Sequence, residues 1–89
     1  MRAIVTVVGK DKVGIIAAVC MQLASYNVNV LDISQTVMQG YFTMMMVVDV
    51  TDAKLPIVDL ARELENQGKE MNLSIRLQRE DIFDAMHRV

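Results

Sequence analysis

The side chains able to do covalent or metal chemistry are few and scattered. The one cysteine, Cys20, sits in Ala17-Ala18-Val19-Cys20-Met21, with no His, Lys or Arg within a helical turn on either side. A thiol in such surroundings reads as a small buried hydrophobe and not as a nucleophile. The single histidine, His87, lies near the C-terminal end and reads as a surface residue at a helix end. One Cys and one His so far apart make neither a zinc nor a redox site. A lone Cys also forms no internal disulfide, which agrees with a reducing compartment. There is no Ser-His or Cys-His pair to serve nucleophilic catalysis. Phosphoryl chemistry would ask for an Arg in the first loop, where the chain offers only Lys10 and Lys12. A catalytic constellation is absent, so the reading is non-enzymatic and without a cofactor.

Binding chemistry is better served. In Val8-Gly9-Lys10-Asp11-Lys12-Val13-Gly14-Ile15-Ile16 an apolar run breaks and a helical pattern begins. The backbone N–H groups of about Val13, Gly14 and Ile15 then lack intrahelical partners. Asp11 is placed to cap some of them, and Gly14 lets a second backbone or a small ligand come close. The plain alternative is a capped helix with a glycine for helix–sheet packing. Asn29 is the second candidate. Its amide can tie down the turn at Tyr26-Asn27-Val28, or offer donor and acceptor together to the polar head of a ligand. Within one subunit Asn29 and Gly14 sit a helix length apart, so they can share a ligand only where two subunits bring unlike ends together.

Composition sets the limits. Eighty-nine residues make one domain. Hydrophobic residues supply 53% and aromatics only 4%, while methionine appears eight times. That is more apolar surface than one small core hides, which points to a second copy. The longest apolar run is Ile15 to Met21, far short of the roughly 18–20 residues that span a bilayer. Ala3 to Val8 leads into Gly9-Lys10-Asp11-Lys12 without a signal-peptide cleavage site. The expectation is a soluble, cytoplasmic chain with no membrane partner. Nine basic and eleven acidic residues give a net charge of −2. Arg76, Arg79 and Arg88 are diluted by Glu80, Asp81 and Asp84, so direct nucleic-acid binding is not expected.

The elements that must position the loop and Asn29 follow from periodicity. Arg2 to Val8 is a strand apolar on both faces. Gly14 to Ser25 is a helix, with Ile15, Ile16, Val19 and Leu23 as its core stripe and Asn27 as its left-handed terminus. Asn29 to Met38 and Tyr41 to Val50 form a hairpin through Gln39-Gly40, with Leu31 and Ile33 on one face of its first strand. Thr51-Asp52 offers a cap, Pro56 fits the first turn of a second helix, and Gly68 stops it. Leu73, Ile75 and Leu77 alternate with polar residues as a half-exposed strand. A short amphipathic helix follows from about Asp81, carrying Ile82, Phe83 and Met86. The fold class is therefore α+β, a ferredoxin-like βαββαβ. Its four-stranded antiparallel sheet has order 4-1-3-2, with two helices on one face and a short C-terminal helix added. The open sheet face carries Val5 and Val7 or their alternates, with a Met from the third strand. Dimerisation through that face or through an edge accounts for the apolar excess.

Gly9 to Ile16, followed by Leu23-Ala24-Ser25-Tyr26-Asn27-Val28-Asn29-Val30-Leu31-Asp32, resembles the ACT domain. More closely it is similar to the small stand-alone ACT proteins related to the glycine-cleavage-system repressor. The resemblance covers residues 1–79, with 80–89 as a helical extension packed on the same domain. It rests on an Asp-x-x-Gly-Ile loop with an Asn-Val about fourteen residues later, and on a turn at Ser34-Gln35-Thr36. It implies a regulatory module that forms a homodimer or higher homo-oligomer and binds a small metabolite, often an amino acid, between two domains. By that resemblance the ligand contacts fall on Asp11, Lys12, Val13, Gly14 and Ile15 of one domain and Asn29 of the other. The position of Asp11 is often Asn in amino-acid-binding members, and here its charge suits an ammonium. The alternative it leaves open is a ligand-free dimerisation module, or one docking on an enzyme or transcriptional regulator as protein target.

Overall fold

The computed structural model describes residues 1–10 and 13–86. Asp11 and Lys12 in the loop, and His87 and Arg88 at the end, lie outside the described residues. The elements run β1 (Arg2–Lys10), α1 (Ile15–Ser25), β2 (Asn29–Met38), β3 (Tyr41–Asp49), α2 (Ile57–Glu70), β4 (Leu73–Arg79) and α3 (Glu80–Met86). The sheet is antiparallel with order β2-β3-β1-β4, which is the expected order read from its other edge.

Register decides which apolar residues reach the core. Directly opposed residues share a face of the sheet. Val5 lies opposite Met46 and Leu77, and Val7 opposite Met44 and Ile75. All six are buried beneath the helices, where Ile15, Val19 and Leu23 of α1 and Leu60 and Leu64 of α2 join them. The open face is thus formed by the alternates, Ile4, Thr6 and Val8 beside Val47, Met45 and Thr43. Its threonines, together with Ser34, Thr36, Ser74 and Arg76, make it a mixed surface and not a greasy one. The short α3 follows β4 directly and packs against β1 and β4, with Arg2 Nε 3.0 Å from Glu80 Oε2.

Several local expectations change. The N-cap position of α1 is Gly14, and among the described residues no side chain caps the helix. The cap expected from Thr51-Asp52 is not made, because Pro56 occupies the N-cap of α2 while Thr51 bonds back to Asp49. Gly68 does not end α2. It lies buried inside the helix, where a Cβ would meet the Leu73 carbonyl oxygen at 2.8 Å, so glycine here serves the close approach of α2 to β4. The helix ends two residues later, through Asn72 at φ 58°. In β2 a bulge between Val30 and Asp32 takes Leu31 out of register with Ile33, and Ser34-Gln35-Thr36 are strand residues, not a turn.

Asn27 does end α1 in the left-handed region, at φ 61°. Its N–H donates to the Ala24 carbonyl at 3.0 Å and that of Val28 to the Leu23 carbonyl at 3.0 Å. This is the Schellman arrangement, with Leu23 and Val28 both buried as its apolar contact. The hairpin turn has φ 50° at Gln39 and 82° at Gly40, the two positive values of a type I′ turn.

Candidate functional site

The site begins where β1 hands over to α1. Gly14 has φ 87°, and a Cβ added to it would touch nothing within 4 Å. Helix–sheet packing therefore does not require this glycine. The backbone does, because an L side chain is strained in the left-handed region. Among the described residues the first intrahelical bond runs from Ala18 N to Gly14 O at 2.9 Å. The N–H groups of Ile15, Ile16 and Ala17 have no acceptor among the described residues. These donors lie two residues later than the sequence suggests.

Beside this helix start runs an open groove of about 530 Å³, lined by Gly14, Ile15, Ile16, Ala17, Gln35, Val37 and Phe42. The strand places these side chains: Gln35 pairs with Met44 and Val37 with Phe42, so both lie on the helix side of the sheet. Phe42 is buried and forms the floor, while Val37 is 54% exposed. Ile16, expected in the core stripe, is partly exposed and lines the groove instead. Val13 is fully exposed and does not line it. Gln35, Val37 and Phe42 were not legible as site residues, since only the pairing of β2 with β3 brings them beside α1.

Asn29 lies elsewhere. It opens β2 opposite Asp49 and lines a second, polar pocket of about 380 Å³ with Ala24, Asn27, Val28, Asp49 and Asp52. The turn is tied by Asn27, whose Nδ2 donates to the Asp52 carbonyl at 3.0 Å. The amide of Asn29 makes no hydrogen bond among the described residues, so the turn-tying role falls to its neighbour. Asp49 Oδ1 accepts from Thr51 N at 2.9 Å and Thr51 Oγ1 at 2.5 Å, and the N-terminal ammonium stands 3.4 Å away. The Thr51 side-chain hydroxyl, then its N–H, hold the Asp49 carboxyl below its ordinary value. The carboxylate is therefore charged throughout the neutral range. Gly14 and Asn29 thus stand at opposite ends of α1, as the topology requires.

The edge between these two pockets is β2 itself. Every residue from Leu31 to Gly40 is exposed, and Asp32 is the only charged side chain in the strand. Edge strands are usually protected by Lys, Pro or extreme shortness; β2 has none of these, only the bulge at Leu31. Beside it α1 carries no charged residue at all, and it leaves Ile16 and Met21 in the open. Gln22 and Ser25 are its only polar side chains, a small polar share for a surface helix. The half-buried Cys20 packs against the core. Among the described residues, no three His, Cys, Asp or Glu side chains gather into a metal-sized group, and no helix is long and apolar enough to cross a membrane.

Comparison with known proteins agrees with this fold. A family model described as the ACT domain matches residues 2–78. A UPF0237 protein of Listeria innocua is 48% identical over 89 residues, spanning 100% of both chains. Among solved structures, an ACT domain protein from Streptococcus pneumoniae superposes with a TM-score of 0.83 at 48% identity, covering 98% of each chain. A structure described as a glycine cleavage system transcriptional repressor shares the fold, with a TM-score of 0.73 at 20% identity, over 86% of this chain and 44% of that one. By the loop, the sheet order and these matches, the chain belongs to the ACT domain family, whose members are regulatory ligand-binding modules, and to its UPF0237 group.

Proposed function

We propose that this ACT domain is a non-enzymatic cytoplasmic regulator that works as a homodimer and binds an amino acid between its subunits. One observation carries the reading. The Gly14 groove and the Asn29 pocket flank opposite ends of an unprotected edge strand. Antiparallel pairing of two β2 strands about a twofold axis sets the Asn29 end of each against the Val37 end of the other. The start of α1 at Gly14 and Ile15 of one subunit then faces Asn29 of its partner, and the same pairing covers the uncharged outer side of α1. The N–H groups at the start of α1 suit a carboxylate, by about 0.3–1 kcal/mol where exposed. Asn29 and the charged Asp49 suit an ammonium. A ligand this small binds with micromolar to millimolar affinity, about −8 to −4 kcal/mol.

A thermal-shift panel of the twenty amino acids at millimolar concentration tests this. At least one is expected to raise Tm, and to lose that effect in Gly14→Val, whose β-branched side chain strains the left-handed turn that sets the helix start. No shift from any amino acid favours the second reading, a dimerisation or docking module that uses the apolar face of α1 on a protein target.

A further inference from the structure

Resting on the pairing of two β2 strands proposed above, we infer that Asp32 is a latch on that edge, a carboxylate covering a backbone donor that the partner strand must take. The hairpin fixes which backbone groups face outward. Gln39 and Gly40 form a two-residue type I′ turn, so Met38 and Tyr41 close it as a hydrogen-bonded pair. Bonded and non-bonded pairs then alternate along an antiparallel ladder. Thr36 and Ser34 therefore bond to β3, opposite Thr43 and Met45, while Val37, Gln35 and Ile33 turn their N–H and C=O groups to the free edge. One of those outward donors is already taken. The N–H of Ile33 donates to Oδ1 of Asp32 at 2.9 Å.

Twofold pairing cannot avoid that donor. Directly opposed residues share a face of a continuous sheet, so an axis at the middle of β2 passes through a residue opposed to its own copy, Ile33 or Ser34. In the first register Ile33 exchanges N–H···O bonds with the partner's Ile33. In the second it exchanges them with the partner's Gln35. Either way the Asp32 carboxylate must first rotate off the Ile33 N–H, in both subunits. The first register also sets Asp32 diagonally across from the partner's Asp32, about 7–8 Å away, with like charge. Asp32 is exposed and is the one charged residue of β2, so it can swing into water without breaking an ion pair. The latch makes pairing weaker than the bare edge would give. It also guards the middle of a strand that is otherwise open to chance strand addition.

Sedimentation velocity of the full chain over a dilution series from micromolar to nanomolar protein gives the dimer Kd and is the test. Asp32→Thr, which keeps a small polar side chain without the carboxylate, is expected to lower Kd at least about tenfold, because the contact is broken twice per dimer. Asp32→Asn keeps a weaker, neutral acceptor and is expected to fall between Asp32→Thr and the unmodified protein. A Kd for Asp32→Thr equal to or above that of the unmodified protein overturns the latch and leaves the interface reading standing. Asp32→Asn dimerising as tightly as Asp32→Thr also overturns it, because the charge alone would then account for the gain. Monomers of all three proteins throughout the series overturn both.

Discussion

Ile33→Lys is expected to dissociate the protein into monomers of 10.0 kDa, weakening the dimer at least about 100-fold, as read by sedimentation equilibrium. Ile33 is 40% exposed and lies near the middle of β2, opposite Met46 on the helix side of the sheet. Twofold pairing about the middle of β2 brings this residue close to its own copy, so one substitution introduces two facing ammonium groups. Like charges set together at an interface cost several kcal/mol, and each 1.4 kcal/mol is about tenfold in affinity. The monomer itself should stay folded, because a partly exposed side chain on an edge strand contributes little to stability, typically within about 0.5–1 kcal/mol. Val8→Lys is the control. Val8 sits on the open face opposite Thr43, so a dimer built through that face would fall apart with this variant and survive Ile33→Lys. The edge arrangement requires the reverse.

Met44→Ala is expected to cost about 2–5 kcal/mol, against less than about 1 kcal/mol for Met45→Ala. The two residues are adjacent and chemically identical, but Met44 is fully buried against Val7 while Met45 is 38% exposed beside Thr6. Truncating Met44 removes a whole side chain from the core and leaves a cavity that a four-stranded sheet under two helices collapses poorly around. In a domain of this length each kcal/mol lowers Tm by roughly 4–8 °C, so Met44→Ala should lose about 10 °C or more. Equal losses in the two variants, measured by thermal denaturation, would contradict the register of β3.

Methionine was the hardest part of the composition to place from sequence. In Met44-Met45-Met46 every residue is apolar, so alternation carries no signal about which face is buried. The same ambiguity affected Val5 and Val7, which the sheet register puts in the core, with Ile4 and Val8 on the open side. Where local chemistry decides the outcome, the reading was sound. Asn27 ends α1 because asparagine tolerates the left-handed region, and Gln39-Gly40 turns the hairpin for the same kind of reason. The polar alternation of Leu73 to Leu77 marked an edge strand, and β4 is one.

The misreadings share a cause. Gly68 looks like a helix stop, but its role is set by the Leu73 carbonyl across the α2–β4 contact. The turn that the family resemblance put at Ser34-Gln35-Thr36 is not formed, and Gln35 lies within the strand read over Asn29 to Met38, as one wall of the groove. Neither partner is close enough in sequence to leave a periodic signal. The loop around Gly14 and the asparagine at the start of β2 stand out in the sequence as candidates; the apolar wall between α1 and β2 does not. The apolar excess itself is legible in the composition. That much of it is exposed on β2 and the outer side of α1 follows only from the burial of each strand.

Sedimentation equilibrium of the unmodified protein at micromolar concentration, with and without millimolar amino acids, is the most direct test of the interface on which the site depends. The expected mass is about 20 kDa, twice the 10.0 kDa of one chain, in both conditions. A mass of 10.0 kDa in both would leave the Gly14 groove and the Asn29 pocket on separate ends of a single subunit, and would contradict a ligand shared between them.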